Sequence, residues 1–76
     1  MAAARIVSDP TVMLGKPVIE GTRITVEFVL EELAAGQTVE ALTESHPTIT
    51  MDGVRAALDY AAKVLKSEIV YTLEVG

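Results

Sequence analysis

The chain has no cysteine and a single histidine, His46. The first absence rules out a disulfide framework, and the two together argue against structural zinc, which takes four Cys or His ligands. Nucleophilic catalysis is equally short of parts: no thiol exists, and no Ser-His-Asp set suggests itself around His46. The expectation is a protein that is not an enzyme and that carries no metal or cofactor. Long apolar runs are missing too. Nothing approaches the ~20 consecutive apolar residues of a membrane-spanning helix. The opening Met1-Ala2-Ala3-Ala4-Arg5-Ile6-Val7-Ser8-Asp9 lacks the continuous apolar stretch of a signal peptide, so a cytoplasmic location without membrane attachment is expected.

Positive charge is unevenly spread: all six cations lie outside residues 25–45 and are matched there by six acids. Residues 25–45 hold Glu27, Glu31, Glu32, Glu40 and Glu44 and no Lys or Arg, and the net charge of the whole chain is −5. A nucleic-acid binder usually carries a basic face, so any DNA-facing surface here has to be local. Repeats and low-complexity segments are also missing.

What is present is apolar surface. Half of the 76 residues are hydrophobic. A chain this short buries only ~60% of its unfolded surface, which leaves more apolar side chain than one small globule covers. A homodimer or a protein partner is the expected remedy.

One domain is expected over residues 1–76: a β-element at 5–24, a helical core at 25–67 and a strand or tail at 68–76. Arg5-Ile6-Val7 and Val18-Ile19 are short β-prone runs, and Thr22-Arg23-Ile24 is a further extended piece. Turn signals at Ser8-Asp9-Pro10, Gly15-Lys16-Pro17 and Glu20-Gly21 separate them, a spacing that suits a tight hairpin or arch. Gly21 is expected to supply a positive φ, and Arg23 either to be held by Glu20 or to face a partner. The run from Gly15 to Ile24 lacks the spacing of a phosphate-binding loop. Its Gly15, Pro17, Gly21, Thr22 and Arg23 therefore read as scaffold.

Three helices follow. The first covers Val26 to about Ala35, capped by Thr25 and stopped by Gly36, with Val26, Val29, Leu30 and Leu33 on one face. The second covers Val39 to Ser45, capped by Thr38 and ended by His46-Pro47. The third starts after Thr50 and carries Val54, Ala57, Leu58, Ala61, Ala62 and Leu65 as a sustained core stripe. Ala56, Tyr60 and Val64 form a second stripe beside it, which reads as a dimer or partner face. After Ser67 the period changes to two: Ile69, Tyr71, Leu73 and Val75 alternate as in a strand that needs a partner.

The second and third helices with the turn 46–49 form a helix-turn-helix, in which the N-terminal residues of the second helix of the pair lie nearest the bases. Thr50, Met51 and Arg55, with Lys63 further along, are the candidate DNA contacts; only Arg55 offers a bidentate guanine contact, and Asp52 opposes phosphate. Asp59 is one turn from both Arg55 and Lys63 and reads as their ion-pair partner.

The clustered motifs Gly15 to Ile24, Ala34-Ala35-Gly36, His46-Pro47, Ile49-Thr50 and Ala57-Leu58-Asp59-Tyr60-Ala61 resemble the bacterial and archaeal family known as domain of unknown function 433. The likeness covers roughly residues 6–66, with His46 where the family more usually has tyrosine. It implies a mainly α, homeodomain-like three-helix domain with a small N-terminal β-element. It also implies a VapB-like antitoxin that binds and neutralises a PIN-like nuclease toxin and can bind operator DNA. A stand-alone dimeric helix-turn-helix regulator is the alternative.

Overall fold

The computed structural model describes residues 4–68. In chain order these form strand β1 (Ile6–Val7), a one-turn 3-10 helix (Met13–Gly15), strand β2 (Val18–Ile19) and helices α1 (Val26–Ala34), α2 (Val39–Ser45) and α3 (Met51–Glu68). The protein is mainly helical with a small sheet in front, as expected. The strand expected at 68–76 lies outside the described residues, apart from Glu68, which closes α3.

Local chemistry sets each helix boundary. Thr25 is extended, and its hydroxyl oxygen accepts from the Phe28 amide at 2.9 Å, satisfying one of the unpaired donors at the start of α1. At the other end Gly36 takes φ 102. The Gly36 amide donates to the Leu33 carbonyl and the Gln37 amide to the Glu32 carbonyl, closing the helix in a Schellman turn. Thr38 caps α2 by accepting from the Ala41 amide at 3.0 Å, and Thr50 caps α3 by accepting from the Gly53 amide at 3.0 Å. His46, held extended before Pro47, ends α2 and sets its ring edge-on to Phe28, with centroids 5.1 Å apart.

Strands β1 and β2 pair antiparallel, with Ile6 opposite Ile19 and Val7 opposite Val18. The tight reversal expected from Glu20-Gly21 is present at 19–24. Gly21 adopts φ 82, the Thr22 hydroxyl donates to the Ile19 carbonyl, and its oxygen accepts from the Ile24 amide. That reversal does not make the sheet, however. The lateral partner of β2 is the segment before the 8–17 connection, and Thr25 meets Val18 only as an isolated bridge.

Ile19, Val26, Val29, Leu42, Ile49, Val54 and Ala57 are buried together, so sheet, helices and the 46–50 turn share one core; Val18 is buried outside that cluster. Gly53 lets α3 approach β2: a Cβ added there would meet Ile19 Cδ1 at 3.2 Å. The core stripe expected along α3 is shorter than its apolar pattern. Val54 and Ala57 are buried and Ala61 packs against the core, but Leu58 is 43% exposed, Leu65 is 59% exposed and Ala62 is exposed as well. The reason is geometric. The 18 residues of α3 extend ~27 Å and the 9 residues of α1 about half of that, so the cover runs out before the helix does. Leu58 lies on a flank, away from the face that carries Gly53, Val54 and Ala57. No described helix is long and apolar enough to cross a membrane.

Leu42 is 2% exposed and sits inside the core cluster. Leu42→Ala is expected to cost about 2–5 kcal/mol of unfolding free energy, measured by urea denaturation. A loss within the range of a surface substitution would show that the packing is not as described.

Candidate interaction surface

The residues expected to read DNA divide into two groups. Thr50, Met51 and Arg55 lie exposed at the N-terminal end of α3, while Lys63 is exposed more than two turns further along. Thr50 is already engaged as the helix cap. Arg55 Nη1 lies 3.6 Å from Asp52 Oδ1, and Lys63 Nζ lies 2.9 Å from Asp59 Oδ2. Asp59 thus pairs with Lys63 as expected, but Arg55 turns to Asp52, the acid in its own first turn. Each candidate cation has a carboxylate beside it, so this face offers phosphate little net charge.

The β-element shows the same local pairing. Lys16 Nζ is 3.0 Å from Glu27 Oε1. Of the two readings open for Arg23, the pair with Glu20 is not formed, because the Glu20 carboxylate lies 3.9 Å from Arg5. Among the described residues, Arg23 and Lys66 take part in no ion pair. Within the run 15–24 the scaffold roles divide cleanly. Gly15 (φ 83) and Gly21 (φ 82) supply the left-handed positions, Thr22 ties the turn, and the Pro17 carbonyl accepts the first amide of α1, that of Val26, at 3.0 Å. Arg23 instead stays on the surface.

In the 8–17 connection, Asp9 accepts from both the amide and the hydroxyl of Thr11, at 2.9 and 2.7 Å. Those two bonds, the amide first, hold its carboxyl below the ordinary aspartate value. Further along, Met13 (φ 49) and Leu14 (φ 59) are left-handed without being glycine, and Leu14 stands 92% exposed at the tip.

The expected partner stripe is only partly realised. Ala56 and Tyr60 are half-buried, and Val64 is 37% exposed. Tyr60 and Val64 instead join Ala61 and Leu65 in lining an open apolar cleft whose other wall is Pro17, Val26 and Leu30. Glu27 is the one charged residue on its rim. Ile69, Tyr71, Leu73 and Val75, the other expected partner residues, lie outside the described residues.

A second apolar feature was not anticipated. Met51 (49% exposed), Leu58 and Leu65 recur every seven residues along a flank of α3, with exposed Ala62 between the last two. The seven-residue spacing could have disclosed it, but Leu58, Ala62 and Leu65 were absorbed into the supposed core stripe.

Because Leu65 faces solvent, Leu65→Gln should change stability by no more than about 0.5 kcal/mol in denaturant unfolding. A loss of the size expected for a core leucine would restore the longer stripe.

A family described as "Protein of unknown function (DUF433)" matches residues 6–61. The chain is also 40% identical over 63 residues to the uncharacterized protein y4eO of Sinorhizobium fredii (strain NBRC 101917 / NGR234), an alignment covering 80% of this chain and 28% of that protein. The chain therefore spans less than a third of that relative's length. No solved structure matches the chain.

Proposed function

The chain belongs to the DUF433 family, and we propose that it acts as the antitoxin of a toxin–antitoxin pair, binding and neutralising a PIN-like nuclease toxin in the cytoplasm. The observation that carries this reading is the open cleft between α1 and the second half of α3. It is lined by Pro17, Val26, Leu30, Tyr60, Ala61, Val64 and Leu65. Apolar walls with a polar rim suit a protein partner, whose apolar anchors would desolvate there. An antitoxin needs no catalytic group of its own, because it acts by covering the toxin. The nuclease comes from the family resemblance, and the apolar cleft supports the reading as a surface suited to a protein partner.

Operator binding, either beside toxin capture or as the work of a stand-alone dimeric regulator, draws on the helix-turn-helix and the exposure of Met51 and Arg55. It has thinner support, since Asp52 and Asp59 hold Arg55 and Lys63. If operator DNA is bound through these groups, gel retardation should be confined to low salt and should weaken with Arg55→Ala.

The decisive test is to identify the neighbouring gene and, where it encodes a PIN-like protein, to co-express the two. The two should co-purify and growth inhibition should be relieved. Val64→Glu, a change at a partly exposed cleft position, should abolish both while leaving the melting curve of the free chain in place. Failure of the native pair to co-purify, with toxicity unchanged, would overturn the antitoxin reading.

A further inference from the structure

Met51, Leu58 and Leu65 are 49%, 43% and 59% exposed. Their seven-residue spacing aligns them in one row down α3, as in the seam of a helix pair. The row lies on a flank of the helix, whereas the cleft proposed for the toxin faces α1. Only Leu65 borders both. The row is symmetric about Leu58, since Met51 and Leu65 each stand seven residues from it.

We infer that this row is the self-association seam of the protein, occupied by α3 of a second copy running antiparallel across a twofold axis at Leu58. In that register Leu58 meets Leu58 of the second copy and Met51 meets its Leu65. Arg55 falls level with Ala61 and beside Ala62 of the second copy, a long side chain against short ones.

Charge decides the direction. The first nine residues of α3 carry Asp52, Arg55 and Asp59, a net −1, and the last nine carry Lys63, Lys66 and Glu68, a net +1. An antiparallel copy lays its lysine end along the aspartate end, with Asp52 near Lys66 at both extremities. A parallel copy would set aspartate on aspartate and lysine on lysine. Helix dipoles favour the same choice, because opposite ends then lie side by side. The existing pairs Arg55–Asp52 and Lys63–Asp59 are exposed and contribute little to stability, so they can rearrange on association.

The seam has a consequence for DNA. It covers Met51 and borders Arg55, the surface that a helix-turn-helix would direct into the major groove. Pairing through α3 and reading DNA with α3 would therefore compete.

The absence of native cysteine makes the test direct, since any introduced thiol is unique. Met51→Cys, Leu58→Cys and Leu65→Cys are each made in the full chain, and folding is checked by circular dichroism. Each is then exposed to a short thiol-to-thiol crosslinker. Leu58→Cys alone should yield a covalent dimer. Met51→Cys alone and Leu65→Cys alone should remain monomeric on a denaturing gel, whereas a mixture of the two should crosslink. Light scattering should show the native dimer lost in Leu58→Glu. Efficient crosslinking of Met51→Cys with itself would establish a parallel pair and overturn the proposal. So would failure of folded Leu58→Cys to crosslink, or a Leu58→Glu protein that stays dimeric. The toxin test rests on Val64, so a negative result at Leu58 leaves it standing.

Discussion

A mismatch in length governs this molecule. Helix α3 has 18 residues, while α1 has 9 and α2 has 7. At 1.5 Å per residue, neither short helix can cover the long one. The first half of α3 is enclosed: Gly53 accepts the close approach of β2, and Val54 and Ala57 are buried with Leu42, Ile49 and Val29. Its second half continues past that cover and stays apolar. Tyr60, Val64 and Leu65 are left bordering an open cleft, and Met51, Leu58 and Leu65 are left along a flank. The open cleft follows from that disproportion, whereas Met51 and Leu58 are exposed because they lie on a flank of the enclosed half.

The small β-element sets where the mismatch falls. Its tight turn, closed by Gly21 and Thr22, delivers the chain to Thr25, which caps α1 immediately. The Pro17 carbonyl receives the Val26 amide, so the sheet and the start of α1 form one block. Pro17 then becomes part of the cleft wall as well. The run from Gly15 to Ile24 thus works as a bracket that positions the cleft.

Much of the fold was legible in the residues. Thr25, Thr38, Thr50, Gly36 and Pro47 mark helix ends through local hydrogen bonds and backbone preference, which depend on near neighbours. The helix bounds accordingly agree with the structure within about a residue, inside the usual spread of boundary assignment. What periodicity could not supply was the reach of the neighbouring elements. An apolar stripe says which face of α3 is suited to burial, and it carries no information about whether α1 is long enough to bury it. Leu65 lies past that reach, and Leu58 lies on a flank that spacing alone does not separate from the core face. Charge partners were misassigned for a related reason. Spacing allows Arg55 to reach either Asp52 or Asp59 and Glu20 to reach Arg23, while the fold brings Arg5 across from the first strand. The candidate site was half legible: Tyr60 and Val64 were singled out, but their partners Pro17, Val26 and Leu30 come from elsewhere in the chain.

On the proposed pairing, the apolar flank of α3 is covered by a second copy of the chain. Hydroxyl-radical footprinting of the full chain, from dilute to concentrated solution, reads that cover at individual side chains. Met51, Leu58 and Leu65 should become protected as concentration rises, while Leu14, at 92% exposure, stays reactive throughout and serves as the internal reference. Unchanged reactivity of all four across the series would show that α3 stays bare and would contradict the account.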